Sequence, residues 1–225
     1  GGGNITFADG NDELFSNFGE NNFLSNVNFG DGDDVFSIDD GSAILKGALT
    51  NLENIEINGS SYLAVLNGGS YTGNVSGSSG AQLSIGTAMG QLDETPITYN
   101  SPGTVDSVSI QVGGMATFNT NGHEFGSDTA LNGISVIQDA TFNIQDNVTS
   151  SGTTFIGNNG TIRIGAGATL STASQSNDSG TLIFDIASPS SAGFLEVTDG
   201  AVTLTGLNVE ANLTGSDSLF TNGNQ

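Results

Sequence analysis

Cysteine and tryptophan are absent from this 225-residue chain, histidine occurs once, proline three times, and lysine and arginine together only twice. Each scarcity excludes something. Without Cys there is no disulfide framework and no thiol chemistry, and with His123 as the sole imidazole the usual zinc sites are excluded as well. A Ser–His–Asp triad would have to use His123, and no GxSxG context accompanies it. Lys46 and Arg163 stand against 24 acidic residues, a net charge of −22. Such a chain repels phosphate backbones and anionic lipid, because binding either needs clustered cations. No apolar run is long enough for a membrane-spanning helix, and neither a signal peptide nor an initiating Met is present, so the chain reads as an excised piece of something larger.

What is abundant is glycine, 34 residues, with Ser, Thr, Asn and Asp filling the breaks between short apolar stretches. Such residues suit tight turns with positive φ. The composition alone would also fit disorder, but the apolar residues are spaced too regularly for that. Within Gly113–Leu213 a small phrase recurs: GGMATFNT, QDATFNI, NGTIRIGAGATL, SGTLIFDI and DGAVTLTG. Taking the apolar residue after each Thr gives Phe118, Phe142, Ile162, Leu182 and Leu204, separated by 24, 20, 20 and 22 positions. Inside each phrase apolar residues alternate, as in Ile162 and Ile164 or Val108, Ile110 and Val112, which is the period of a half-buried strand.

A repeat of 20–24 residues containing several short strands is the signature of a solenoid. The expected fold is therefore all-β, a right-handed parallel β-helix running as one continuous segment over residues 1–225. Roughly ten coils at about 4.8 Å each would make a rod about 50 Å long. Residues 1–57 form its acidic, Phe-rich part, in which Asp12 and Asp34 lie 22 apart, the same repeat. Two stretches interrupt the alternation, 87–102 with two prolines and 119–133 (NTNGHEFGSDTALNG), and both are expected to project as loops where solenoids place recognition surfaces. The terminal GSDSLFTNGNQ has too few apolar residues to cap an open edge.

These residues resemble the passenger region of a bacterial autotransporter. The likeness is carried by FDIASPSSAGFLEVTDGAVTLTGLNVEANLTG, with Leu195, Val197, Gly200, Val202, Leu204 and Gly206 in a recurrent passenger run, by GTIRIGAGATLST, and by the acidic N-terminal coils. What the resemblance implies is a stalk exported through an outer-membrane barrel to the cell surface or medium. Its role there would be non-enzymatic adhesion: to a host or abiotic surface, to glycans, or to identical chains on neighbouring cells. A carbohydrate-binding or carbohydrate-cleaving β-helix, and a passive stalk for a missing head domain, are the alternatives.

Candidate sites are few. Phe29–Ser37 resembles the calcium nonapeptide GGxGxDxUx of RTX proteins, with Gly30, Gly32, Asp34 and Phe36 matching and Phe29 in place of the first Gly. Asp12, Asp34 and Asp31 are thus candidate calcium ligands, since Ca²⁺ takes carboxylates and the carbonyls that glycine turns expose. The other reading is that Asp31, Asp33, Asp34, Asp39 and Asp40 are solvated turn residues. No cofactor besides calcium is suggested, and no catalytic residue is assigned. A polysaccharide lyase needs cations that Arg163 and Lys46 do not supply. A hydrolase needs only two carboxylates at about 5 or 6.5–9.5 Å, for which Asp139 with Asp146, or Glu124 with Asp128, are the pairs that come forward.

Overall fold

A computed structural model describes residues 4–23, 26–88 and 91–215, with the backbone alone for residues 17–23 and Asp40. Asp40 and the stretch 216–225 therefore lie outside what is described of the expected turn and tail. The strands stack almost entirely in parallel, coil upon coil, as a β-solenoid of about nine turns.

Three faces make each turn. On the first, Leu14, Phe36, Ile55, Val75, Val105, Phe125, Val148, Leu170 and Leu195 follow one another in register as a single inward column. On the second, Ala43, Leu63, Leu83, Ile110 and Ile134 form the equivalent column, continued by Thr154 and Gln175. On the third, Val27 and Leu49 open the column and Tyr99, Phe118, Phe142, Ile162, Leu182 and Val209 continue it. The alternation in sequence is thus the alternation between core and solvent: Ala116–Asn119 and Thr141–Ile144 bury every second residue.

Burial along these columns supplies the cohesion, about 1.5–3 kcal/mol for each large apolar side chain taken from water. Phe118 and Phe142 stack in adjacent turns at 5.6 Å between centroids, and Phe125 reaches both from the first face at 5.8 and 6.2 Å. Near the C-terminal side the core turns polar. Thr154, fully buried, donates to Thr172 Oγ1 at 3.0 Å, so the column is held there by hydroxyls rather than by packing alone.

Corners bring coils very close. A Cβ at Gly32 would collide with the Gly10 carbonyl of the preceding turn, so that position admits only glycine. Asn51, Asn121, Asn158 and Asn159 take positive φ at other corners, where Asn tolerates the left-handed conformation.

The structure corrects three sequence expectations. Residues 119–133 do not project: Thr120, Phe125 and Leu131 are buried, and Phe125 bridges Val105 and Val148 in the first-face column. A corner needs just one inward apolar residue, so a polar-looking stretch suffices. Residues 87–102 do not form one loop either. Thr87 and Ala88 are buried and pair antiparallel with Gln91–Leu92, and Ile97–Asn100 is a strand of the third face. Ala88 packs on Ile44, Ala64 and Leu66, which face outward on the second face, so the excursion covers apolar surface instead of extending from it. Finally, Leu204 is not the successor of Leu182; Val209 pairs with Leu182 in that place, and both Val209 and Leu204 are exposed, 52% and 58%.

Candidate functional site

The strands of the third face carry a regular outward pattern. Register places Thr98, Thr117, Thr141, Thr161 and Thr181 one above another, and two residues on, Asn100, Asn119 and Asn143 form a second column ending at Arg163. Rows are about 4.8 Å apart and the two columns about 6.7 Å, the distances of a parallel sheet. The asparagines are tied together: Asn119 Nδ2 donates to Asn100 Oδ1 at 2.6 Å, and Asn143 Nδ2 to Asn119 Oδ1 at 2.7 Å. Every amide therefore points the same way. Ile97–Asn100, Ala116–Asn119, Thr141–Ile144 and Gly160–Ile164 contain no Asp or Glu. On a chain with 24 acidic residues this is a carboxylate-free field of hydroxyls and amides.

Below that field Arg163 closes the array. Its Nε reaches both carboxylate oxygens of Asp185 at 3.0 and 2.9 Å, and Asn212 Nδ2 donates to Asp185 Oδ1 at 2.7 Å. Arg163 is thus spent on holding successive turns together, which removes it as a free cation for a polyanionic ligand.

Beyond the other end of the Thr and Asn columns, the side opposite Arg163, the ladder opens between Tyr71 and Tyr99. Both phenol oxygens are buried without a hydrogen-bond partner. Burial pushes the ionisation of both phenols well above the ordinary value, and the Asp93 carboxylate adds to the effect at Tyr99. Tyr71 faces Ser101, whose hydroxyl donates to the Gly103 carbonyl at 2.8 Å and offsets part of the effect of burial at Tyr71.

The acidic corner behaves differently from a carboxylate cage. Asp34 is fully buried; its Oδ1 accepts from the Asp12 backbone N–H at 2.7 Å, and its own N–H donates to Glu53 Oε2 at 2.9 Å. These side chains therefore cap the backbone of adjoining turns. One oxygen each of Asp12 and Asp34, Oδ2 in both, is buried with no partner, a donor pair that suits a hard cation. Asp31 is exposed and contributes a backbone carbonyl to Gly10 N–H at 2.8 Å. Among the described residues no group of three or more Asp, Glu, His or Cys is placed to hold a metal.

The remaining sequence candidates are dispersed. Asp139 and Asp146 flank opposite ends of the strand Thr141–Ile144, which by itself spans about 10 Å. Glu124 accepts from Asn147 of the next turn at 3.3 Å, whereas Asp128 N–H bonds Asp106 Oδ1 of the previous one at 3.2 Å. His123 donates its backbone N–H to Thr120 in a turn. Lys46 is exposed. The Thr and Asn columns and the tyrosine break were not singled out from sequence, although the phrases that build the columns, ATFN twice and TIR once, were in plain view.

No family profile matches the chain, and no curated protein or solved structure is similar to it. The class the fold defines is the parallel β-solenoid.

Proposed function

We propose that this protein is a non-enzymatic adhesive scaffold of the autotransporter-passenger kind, displayed at a bacterial cell surface and self-associating through its third face. The observation that carries this is the carboxylate-free field of threonine hydroxyls and aligned asparagine amides on a chain of net charge −22. Two such chains repel each other wherever acidic surfaces meet, and at physiological salt the repulsion reaches about 8 Å. A face without carboxylates is where close approach costs little, and the second-face strands from Tyr62–Val65 to Thr169–Asn177 also lack Asp and Glu; what the third face adds is its ordered row of amides. Its groups donate and accept alike, so two copies can satisfy one another, and many weak contacts repeated along a rod add up through multivalency.

The test is clumping of beads coated with the protein, beside beads carrying an unrelated acidic protein. Clumping should appear in the test sample, grow as salt rises and screens the repulsion, and vanish when Thr117 and Thr141 are both changed to Asp. No clumping at any salt concentration, or clumping indifferent to those substitutions, would remove self-association through this face.

A further inference from the structure

The inner column of the third face is continuous except at one step. Tyr71 and Tyr99 are consecutive members, yet their strands are not joined. The first is tied back to Ala48 by the bridge at Ser70, and Ile97–Asn100 pairs forward with Ala116–Asn119. The cause lies in chain length. From the second-face column to the third, Val65 to Tyr71, Val112 to Phe118 and Val136 to Phe142 are each 6 positions, whereas Ile85 to Tyr99 is 14. The 8 extra residues (14 − 6) leave the solenoid wall and return too far along to close the ladder.

What opens is a cleft of about 470 Å³, within the range of about 300–1,000 Å³ common for small-molecule sites. Ile85 and Phe118 are among its apolar walls, Asn67 and Asn100 line it, and Tyr71 and Tyr99 line it with their hydroxyls buried in the wall and without a hydrogen-bond partner. Tyr71 is only 9% exposed, so its hydroxyl is a buried polar group that the fold itself leaves unsatisfied.

We propose that this cleft binds a neutral sugar ring. A pyranose offers an apolar C–H face to an aromatic ring and hydroxyls around its edge, which is the complement of two tyrosine rings and two amides set among apolar side chains. Charge decides against an acidic sugar: no charged side chain lines the cleft, the chain as a whole is at −22, and the Asp93 carboxylate acts on Tyr99 from beside it. A peptide strand fits less well. The unsatisfied groups are side-chain hydroxyls, not a run of backbone, and the free edge is interrupted at Gly68, Gly69 and by Pro102, which has no N–H to offer. The cleft adjoins the adhesive face and shares Thr98 and Asn100 with it, but Thr117 and Thr141 do not line it, so either can fail alone.

With three Tyr and no Trp, intrinsic emission reports largely on the cleft. The protein is titrated with methyl β-glucopyranoside, methyl β-galactopyranoside and N-acetylglucosamine, with glucuronate and sorbitol as controls. A saturable change at millimolar concentration is expected with at least one of the three and with neither control. Tyr99→Leu and Asn67→Ala, each checked to melt cooperatively, should each weaken it by about threefold to tenfold, as loss of one stacking ring or of one neutral hydrogen bond does. The Thr117→Asp, Thr141→Asp variant should titrate like the wild type even though it no longer clumps. Absence of a saturable response to all three sugars, an equal response to sorbitol, or binding untouched in both cleft variants would overturn the proposal. So would saturable binding of a neutral Gly-Ser-Thr peptide in their place, which would assign the cleft to a strand.

Discussion

Asn143 donates through Nδ2 to Oδ1 of Asn119 at 2.7 Å, across one step of the solenoid. Asn119 in turn donates to Asn100, so it is the middle of an amide chain and serves as donor and acceptor at once. Aspartate at this position keeps the acceptor and loses the donor, and it places a charge on a field that has no carboxylate. Asn119→Asp is expected to cost about 1–2 kcal/mol, the size of one or two half-exposed hydrogen bonds, and to lower the melting temperature by about 2–8 °C. If self-association runs through the third face, it should abolish bead clumping as well. Thermal melting followed by circular dichroism gives the first effect, and a variant that melts normally but no longer clumps would place the whole effect in the interface.

Asp34 is expected to behave in the opposite sense. Its buried Oδ1 caps the Asp12 N–H while Oδ2 has no partner, so an acidic side chain sits in the wall with one oxygen unused. Asparagine retains an acceptor for Asp12 and is neutral at every pH. In chelator, Asp34→Asn should raise the melting temperature by about 2–4 °C, corresponding to about 1 kcal/mol for a domain of this size. Repeating the melts in millimolar calcium tests the cation reading directly: a rise in the wild type that the variant lacks would put calcium between Asp12 and Asp34.

How much of this could be read from the chain depends on which distance matters. Phe118, Phe142, Ile162 and Leu182 were legible because neighbouring turns repeat one phrase, and the structure puts them in one column. Leu204 failed because DGAVTLTG and LNVEANL both alternate, and only pairing with Gly180–Ser188 selects Val209. Phe125 was hidden in a run of Gly, Asn, Asp and Ser, since a corner shows no alternation. The threonine and asparagine columns were spelled out in ATFN, but which of those side chains share a row is a property of register. The cleft was not legible at all: Tyr71 and Tyr99 are 28 positions apart, and what makes them a site is a missing ladder.

Alkaline pH should expose the buried phenols. The folded-state ionisation of Tyr71 is raised above its unfolded value, so the neutral form's contribution is complete below about pH 10 and is lost as pH rises from there, because only the unfolded chain then ionises freely. The limiting slope is about 1.4 kcal/mol per pH unit for one such group. Melting temperatures measured between pH 8 and 11 should fall beyond pH 10 in the wild type and fall less in Tyr71→Phe. Parallel curves would mean that the Tyr71 phenol reaches solvent in the folded state.

Shortening the excursion should mend the wall. Replacing residues 87–96 with Asn-Gly restores the 6-position step from Ile85 to Tyr99 that the neighbouring turns use. Asn-Gly suits the tight corner required. The Tyr71 and Tyr99 strands can then pair, which turns free backbone groups into hydrogen bonds, while the loss of Ala88 uncovers Ile44, Ala64 and Leu66. The two effects oppose each other, so the melting temperature should stay within about 5 °C, a balance of roughly 1–2 kcal/mol. Hydrogen exchange separates them: amides around Tyr71 and within Ile97–Asn100 should become slower by at least tenfold as the ladder closes, and the sugar response should disappear with the cleft. Exchange as fast as in the wild type would show that the strands are held apart by something other than the extra chain, with the tyrosine side chains themselves the next to be replaced.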